Sequence, residues 1–264
     1  MTSREWQADR RAVFERDDHT CRHCGTYARG SDSTAVRVFP VDSVPLGDTV
    51  HRSLLVTVCD DCFELLRRDP LEPADVEEPA VLFESVREIT ETQGNTISNA
   101  ASFTSLVTTV PERLEAGTEP EYVGPRGDLR LGLTVVDSLL DRLASVDRST
   151  LDDPIDEALA EFISDATTLQ ESLHRLLELS EAVVASLERC HVCFNRLDAD
   201  ATRCSTCATD GLEVGDWQDS DGAVDFEGLF SALNGTLRGT TTATDAVTAS
   251  ATTLADRIVK NDDG

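Results

Sequence analysis

Cys21-Arg-His-Cys24-Gly25 and, after a gap, Ser53-Leu-Leu-Val-Thr-Val-Cys59-Asp-Asp-Cys62 decide how this chain reads. Each pair is Cys-x-x-Cys, a spacing that lets two sulfurs converge on one ion. The second pair completes a set of four thiolates, and four thiolates suit tetrahedral zinc with no open coordination position. The zinc expected here is structural.

The flanks of these cysteines are more specific. Trp6, Arg10, Arg11, Val13, Phe14, Arg16 and Asp17 lead into the first pair, and Leu55-Val-Thr-Val-Cys59 leads into the second. Between them stands Val44-Pro45. This arrangement over roughly residues 4 to 68 resembles the HNH endonuclease family. The resemblance implies a basic helix, a zinc turn, a hairpin and a closing helix, the treble-clef or ββα-metal arrangement. It also places the family's three naming positions. Asp42 stands where the catalytic His belongs, Leu54 where the Asn belongs and Phe63 where the last His belongs. In active relatives these groups supply a general base, a steadied loop and a ligand for the metal on the scissile phosphate. Asp42 is a weak base at its ordinary pKa, and Leu54 and Phe63 can neither bind metal nor move a proton. The expectation is a scaffold that keeps zinc and has lost its active site. His19, His23 and His51 lie close by in sequence and could rebuild one, but read more simply as loop and turn residues.

Eight cysteines occur, all in Cys-x-x-Cys pairs. The remaining four are Cys190-His-Val-Cys193 and Cys204-Ser-Thr-Cys207. They predict a second zinc site, resembling the knuckles of small zinc ribbons, with His191 a bystander.

Net charge is −27, with one lysine, Lys260, against 22 arginines. Such a surface repels itself unless salt screens it, and the composition is similar to that of proteins from extreme halophiles. Residues 1 to 68 hold ten Arg and eleven Asp or Glu, so nearly all the acidity lies beyond them. A nearly neutral module could spare a face for the phosphates of DNA or RNA, with Arg4, Arg10, Arg11, Arg22 and Arg29 as candidates. The same arginines could instead pair with Glu5, Asp9, Glu15 and Asp17 along a helix. The start, Met-Thr-Ser-Arg-Glu-Trp, lacks an apolar run, and no stretch nears the roughly 18 apolar residues of a membrane span. That predicts a cytoplasmic, reduced protein without a membrane partner.

Three parts are expected: an HNH-like zinc module over 1–68, an acidic proline-rich linker over 69–79, and a helical domain over 80–264 with its knuckle at 190–207. Trp6, Arg10, Val13 and Phe14 at helical spacing predict a helix over 3–17. Residues 35–41 and 54–58 predict two strands, and a helix follows Cys59 to about Arg68. Residues 80–117 read as helix in two pieces broken near Gly94-Asn95. Residues 118–127 read as a loop around Gly124-Pro-Arg-Gly127. Leu129, Leu133, Val136, Leu140 and Leu143 then mark a helix. From Ile155 to Leu187 an apolar residue recurs at four-three steps, interrupted only by Ser180, and predicts the longest helix over 154–189. A last helix starts near Asp225, with a weak patch at Gly239-Thr-Thr-Thr-Ala-Thr. The fold expected is mainly α: a small zinc module, then a bundle or antiparallel coiled-coil hairpin with the second knuckle at its tip.

Three functions compete at this point. One is a catalytically degenerate module that binds nucleic acid or assembles with a partner. The second is an active HNH endonuclease cutting DNA with Mg²⁺ or Mn²⁺. The third is an adaptor that binds protein, or itself through the helical hairpin, without nucleic acid.

Overall fold

A computed structural model describes residues 3–27, 36–42, 50–67, 79–198, 201–218 and 223–262. Helix α1 (Ser3–Arg16) precedes strand β1 (Val36–Pro40), strand β2 (Leu55–Cys59) and helix α2 (Asp60–Arg67). The strands pair antiparallel with Val36 opposite Cys59 and Pro40 opposite Leu55. All five residues of β2 are buried, because α1 and α5 (Val123–Ala144) both pack against it. This much follows the sequence reading to within two residues at every boundary.

Long helices make up the rest: α3 (Pro79–Thr108), the short α4 (Val110–Glu115), α5, α6 (Asp153–Ala185) and α7 (Phe226–Asp262). Helices α6 and α7 pair most extensively, and α3 and α5 pack beside them. Among the described residues the protein is mainly helical with one small two-stranded sheet. The residues of the expected linker lie outside the described residues up to 78, and Pro79 is already the first residue of α3, where a missing N–H costs nothing.

Three expectations need correction. Helix α3 does not break at Gly94-Asn95 but runs to Thr108. Its stripe Leu82, Val86, Ile89, Gln93, Thr96, Ala100, Phe103 and Val107 is buried throughout. Burial of that stripe outweighs the roughly 1 kcal/mol that a helical glycine costs. Second, Gly124-Pro-Arg-Gly127 is not a loop but the first turn of α5, with Pro125 where helices tolerate it. The two glycines that looked like loop signals do different things. Gly127 admits β2, whose Val56 Cγ1 would stand 3.0 Å from a Cβ there, and Gly124 has open space. Third, α6 ends at Ala185 rather than 189, and at 33 residues it is shorter than the 37 of α7. Ser180 does not interrupt its seam, since it is fully buried among the leucines. The last helix runs unbroken through its threonine patch, as the apolar repeat predicts. Thr236, Thr240 and Thr244 each donate a hydroxyl to the carbonyl four residues back, so these side chains find their partners within the helix.

The second knuckle does sit where α6 ends, but it is not a free tip. Cys190, Val192, Cys193, Cys204 and Cys207 share one apolar cluster with Val13, Val38, Val50, Leu54 and Leu55 of the N-terminal module. Reciprocally, Cys21, Cys59 and Cys62 belong to the larger core of the helical part.

Candidate metal centres and the seam between them

Three of the four Cys-x-x-Cys pairs fold into the same turn. In each, the amide of the first cysteine donates to a carbonyl five residues on: Cys21 to Thr26, Cys190 to Asn195 and Cys204 to Thr209, all at 2.8 Å. The residue after the second cysteine donates back to the first cysteine's carbonyl at 2.9 Å. That residue must take a left-handed backbone: Gly25 at φ 74°, Phe194 at φ 64° and Ala208 at φ 59°. Glycine does this freely, whereas a phenylalanine or alanine there is strained and is held by what surrounds it. The fourth pair is different. Cys59 closes β2 and Cys62 lies in the first turn of α2.

The four sulfurs of each quartet lie within 4.8 Å of one another. Cys24 and Cys59 Sγ are 3.6 Å apart, Cys190 and Cys207 3.5 Å, and Cys193 and Cys204 3.5 Å. These separations are too long for a disulfide at about 2.0 Å. They approach the edge, about 3.8 Å, of a tetrahedron with sulfurs about 2.3 Å from a zinc ion. Both groups are positioned to bind metal ions such as zinc. Crowding the thiols already splits their acidities. Cys21, held by a hydrogen bond from Cys62, is pulled down to about 4, and Cys62 is pushed up. Hydrogen bonds from Cys190 and Cys193 lower Cys207, while Cys190 rises. A divalent cation would relieve this contest by stabilising every thiolate at once.

A second layer of groups steadies the sulfurs, and the sequence reading missed it. Thr26 Oγ1 lies 3.1 Å from Cys24 Sγ, Asn195 Nδ2 donates to Cys193 Sγ at 3.4 Å, and Thr209 Oγ1 is 3.3 Å from Cys207 Sγ. A polar residue two places after the second cysteine of each knuckle was the available signal. Such partners orient metal ligands.

The three positions matched to catalytic groups are all occupied structurally. Asp42 is bound by Arg126 and Arg130 of α5, at 3.2 Å in each case. Arg126 also donates from Nε to Glu181 of α6 at 2.8 Å, and Arg130 reaches the same carboxylate at 3.1 Å. Arg126 is fully buried. Burial opposes its charge, but Glu181 and Asp42 outweigh it and raise its pKa. Nothing in the sequence marked Arg126, Arg130 and Glu181, because a charged pair inside a bundle has no periodic signature. Leu54 is buried in the seam cluster, and Phe63 packs edge-on to Phe39 with ring centroids 6.2 Å apart. Arg37 and Arg67 lie over the Phe63 ring at 4.9 and 5.5 Å. Val44-Pro45 lies outside the described residues.

The histidines do not converge on Asp42 by any hydrogen bond among the described residues. His19 stacks on Phe14, with centroids 6.0 Å apart. His51 Nδ1 accepts from the amide of Ser53 at 3.3 Å. Burial lowers the pKa of His23, of His51 and of His191. The backbone carbonyl of His191 accepts from the hydroxyl of buried Tyr122, the residue just before α5, at 2.7 Å, so this contact helps dock the knuckle at the start of that helix.

Of the candidate phosphate-binding arginines, Arg11 pairs with Glu15 at 2.7 Å. Arg22 forms a two-pronged pair with Asp128 of α5, with Nε to Oδ1 at 2.7 Å. Arg10 lies over the Phe14 ring at 5.9 Å. Arg29 and the side chain of Arg4 lie outside the described residues.

Comparison with known proteins gives no family model that matches the chain, no matching curated protein and no matching solved structure. The likeness to HNH enzymes therefore rests on the motif residues alone. Among the described residues, no helix is long and apolar enough to cross a membrane.

Proposed function

We propose that this chain is a non-catalytic assembly protein braced by two structural zinc ions. Its N-terminal part is read as a treble clef of the HNH kind, and its α6–α7 hairpin as the arm that docks a protein partner or a second copy. The observation that carries this reading is the anchoring of Asp42. A working nuclease needs a base and a metal ligand free to meet substrate. Asp42 is instead one corner of a four-charge network that ties the loop after β1 to α5 and α6.

A second reading, contact with DNA or RNA, draws on the near-neutral charge of residues 1 to 68. Against it, Arg11, Arg22 and Arg37 are each neutralised by carboxylates of the same chain. An active endonuclease would draw Mg²⁺ or Mn²⁺ to Asp42, which its two arginine partners oppose.

One sample in molar KCl separates these readings. Metal content, sedimentation equilibrium, gel shift and cleavage of single- and double-stranded DNA and RNA are measured together. The assembly reading expects two zincs per chain, no cleavage with Mg²⁺ or Mn²⁺, and no gel shift. Metal-dependent cutting that Asp42→Ala abolishes would replace it with an enzyme, and a gel shift without cutting would replace it with a nucleic-acid binder.

A further inference from the structure

The two quartets are not equivalent. All four cysteines of the second are buried, whereas Cys24 of the first is exposed. The second quartet is walled on one side by Val13, Val38, Leu54 and Leu55, residues of the other end of the chain. Its cysteines keep little solvent exposure, although Cys193 borders a surface cleft. The first quartet offers a sulfur to solvent while its remaining three are buried against the helical core. Thiolate reactivity and metal exchange both follow such access.

The first quartet is also mechanically tied to the bundle. Arg22 lies inside the knuckle, between Cys21 and Cys24, and its guanidinium grips Asp128 of α5. Its backbone amide donates to Thr57 of β2 at 2.8 Å. The knuckle's shape, which metal would fix, thus sets where Arg22 points. Loss of that ion frees the turn that presents Arg22 and leaves Cys21, Cys59 and Cys62 as loose thiols in a shared core.

We propose that the second quartet is a permanent zinc staple and the first an exchangeable zinc site whose occupancy holds the N-terminal module on α5. This rests on both quartets holding zinc, as read above. The exchange partner is a soluble thiol- or nitrogen-rich chelator of divalent cations, approaching through Cys24. No redox step is involved: zinc passes from four thiolates to the chelator, and the freed thiolates take protons from water.

The test uses the full zinc-loaded chain in 2 M KCl with excess EDTA. Released zinc is followed with a metallochromic dye, and cysteines are pulse-labelled with iodoacetamide and mapped by mass spectrometry. Trp6, which packs on the seam, is monitored by fluorescence in a Trp217→Phe background. The expected result is two phases differing at least about tenfold in rate. Cys21, Cys24, Cys59 and Cys62 are labelled in the fast phase, and the Trp6 emission changes with it. Release of both ions at one rate, or earlier labelling of 190–207, overturns the assignment. An unmoved Trp6 during the fast phase overturns the docking role. Cys24→Ser should retain one zinc and stay folded, and its retention of both at wild-type rates also overturns the proposal. A chain that carries no zinc at the outset sinks the two-zinc reading itself, a different failure.

Discussion

Asp42 Oδ2 stands 3.2 Å from Nη2 of Arg126, across 84 residues of sequence. The pair joins the loop after β1 to the first turns of α5, and Glu181 shares the same guanidinium. Truncating Arg126 removes the fully buried cation of the network and leaves Asp42 and Glu181 with Arg130 as their remaining shared partner. Arg126→Met is expected to cost about 3–5 kcal/mol, read from urea unfolding in molar KCl. Adding Glu181→Gln should recover part of that loss. A cost below about 1 kcal/mol would show that the network is incidental.

The same glycine-to-alanine change should take opposite signs at two helical positions. A Cβ on Gly132 would sit 2.7 Å from Thr96 Oγ1, where α5 crosses α3, whereas a Cβ on Gly94 meets nothing. Gly132→Ala is expected to destabilise by about 1–3 kcal/mol through overpacking, and Thr96→Ala should relieve it in the double variant. Gly94→Ala is expected to stabilise by up to about 1 kcal/mol. Thermal unfolding of the four proteins checks the pattern, and a stabilised Gly132→Ala would contradict the close packing of these helices.

Acidification should weaken the fold partly through His51. Burial holds its folded pKa below the ordinary histidine value, while Cys207 and Asp9 oppose the shift. A depressed pKa means that the unfolded chain binds the proton first. The stability contributed is therefore intact above about pH 6.5 and is lost as pH falls below it. Unfolding midpoints of His51→Gln should fall less steeply with pH between 7.5 and 5.5 than those of the parent. Equal slopes would remove His51 from the account.

Salt should act in one direction over a wide range. With net charge −27, lowering KCl from 1 M to 0.1 M stretches the screening length from about 3 Å to about 10 Å. Carboxylates on neighbouring turns then repel. The melting temperature is expected to rise continuously with KCl up to molar concentrations, and NaCl should act similarly. A midpoint insensitive to salt would mean that the acidic surface is not what limits stability.

Periodic elements were the legible part of this sequence. Leu129 to Leu143 and Ile155 to Val183 announced their helices, because burying one face at 3.6-residue spacing leaves a repeat that survives inspection. The two quartets were legible for a similar reason, since ligand spacing is local. What escaped was what depends on a distant neighbour. Gly124-Pro-Arg-Gly127 reads as loop unless β2 is known to pack beside Gly127 and Glu181 to receive Arg126. The seam itself was invisible, since Val13 and Cys204 belong to elements that each look complete alone.

That seam also constrains the order in which the chain can be built. Cys21 through Cys62 emerge early, and their quartet can fill while most of the protein is unmade. The surface that α1 and β2 offer to Val192 and Cys204 stays bare until synthesis has passed the second knuckle. For that interval a nascent chain displays Val13, Leu54 and Leu55 to other chains and to chaperones, and ribosome-bound intermediates stalled before residue 190 should be the aggregation-prone ones.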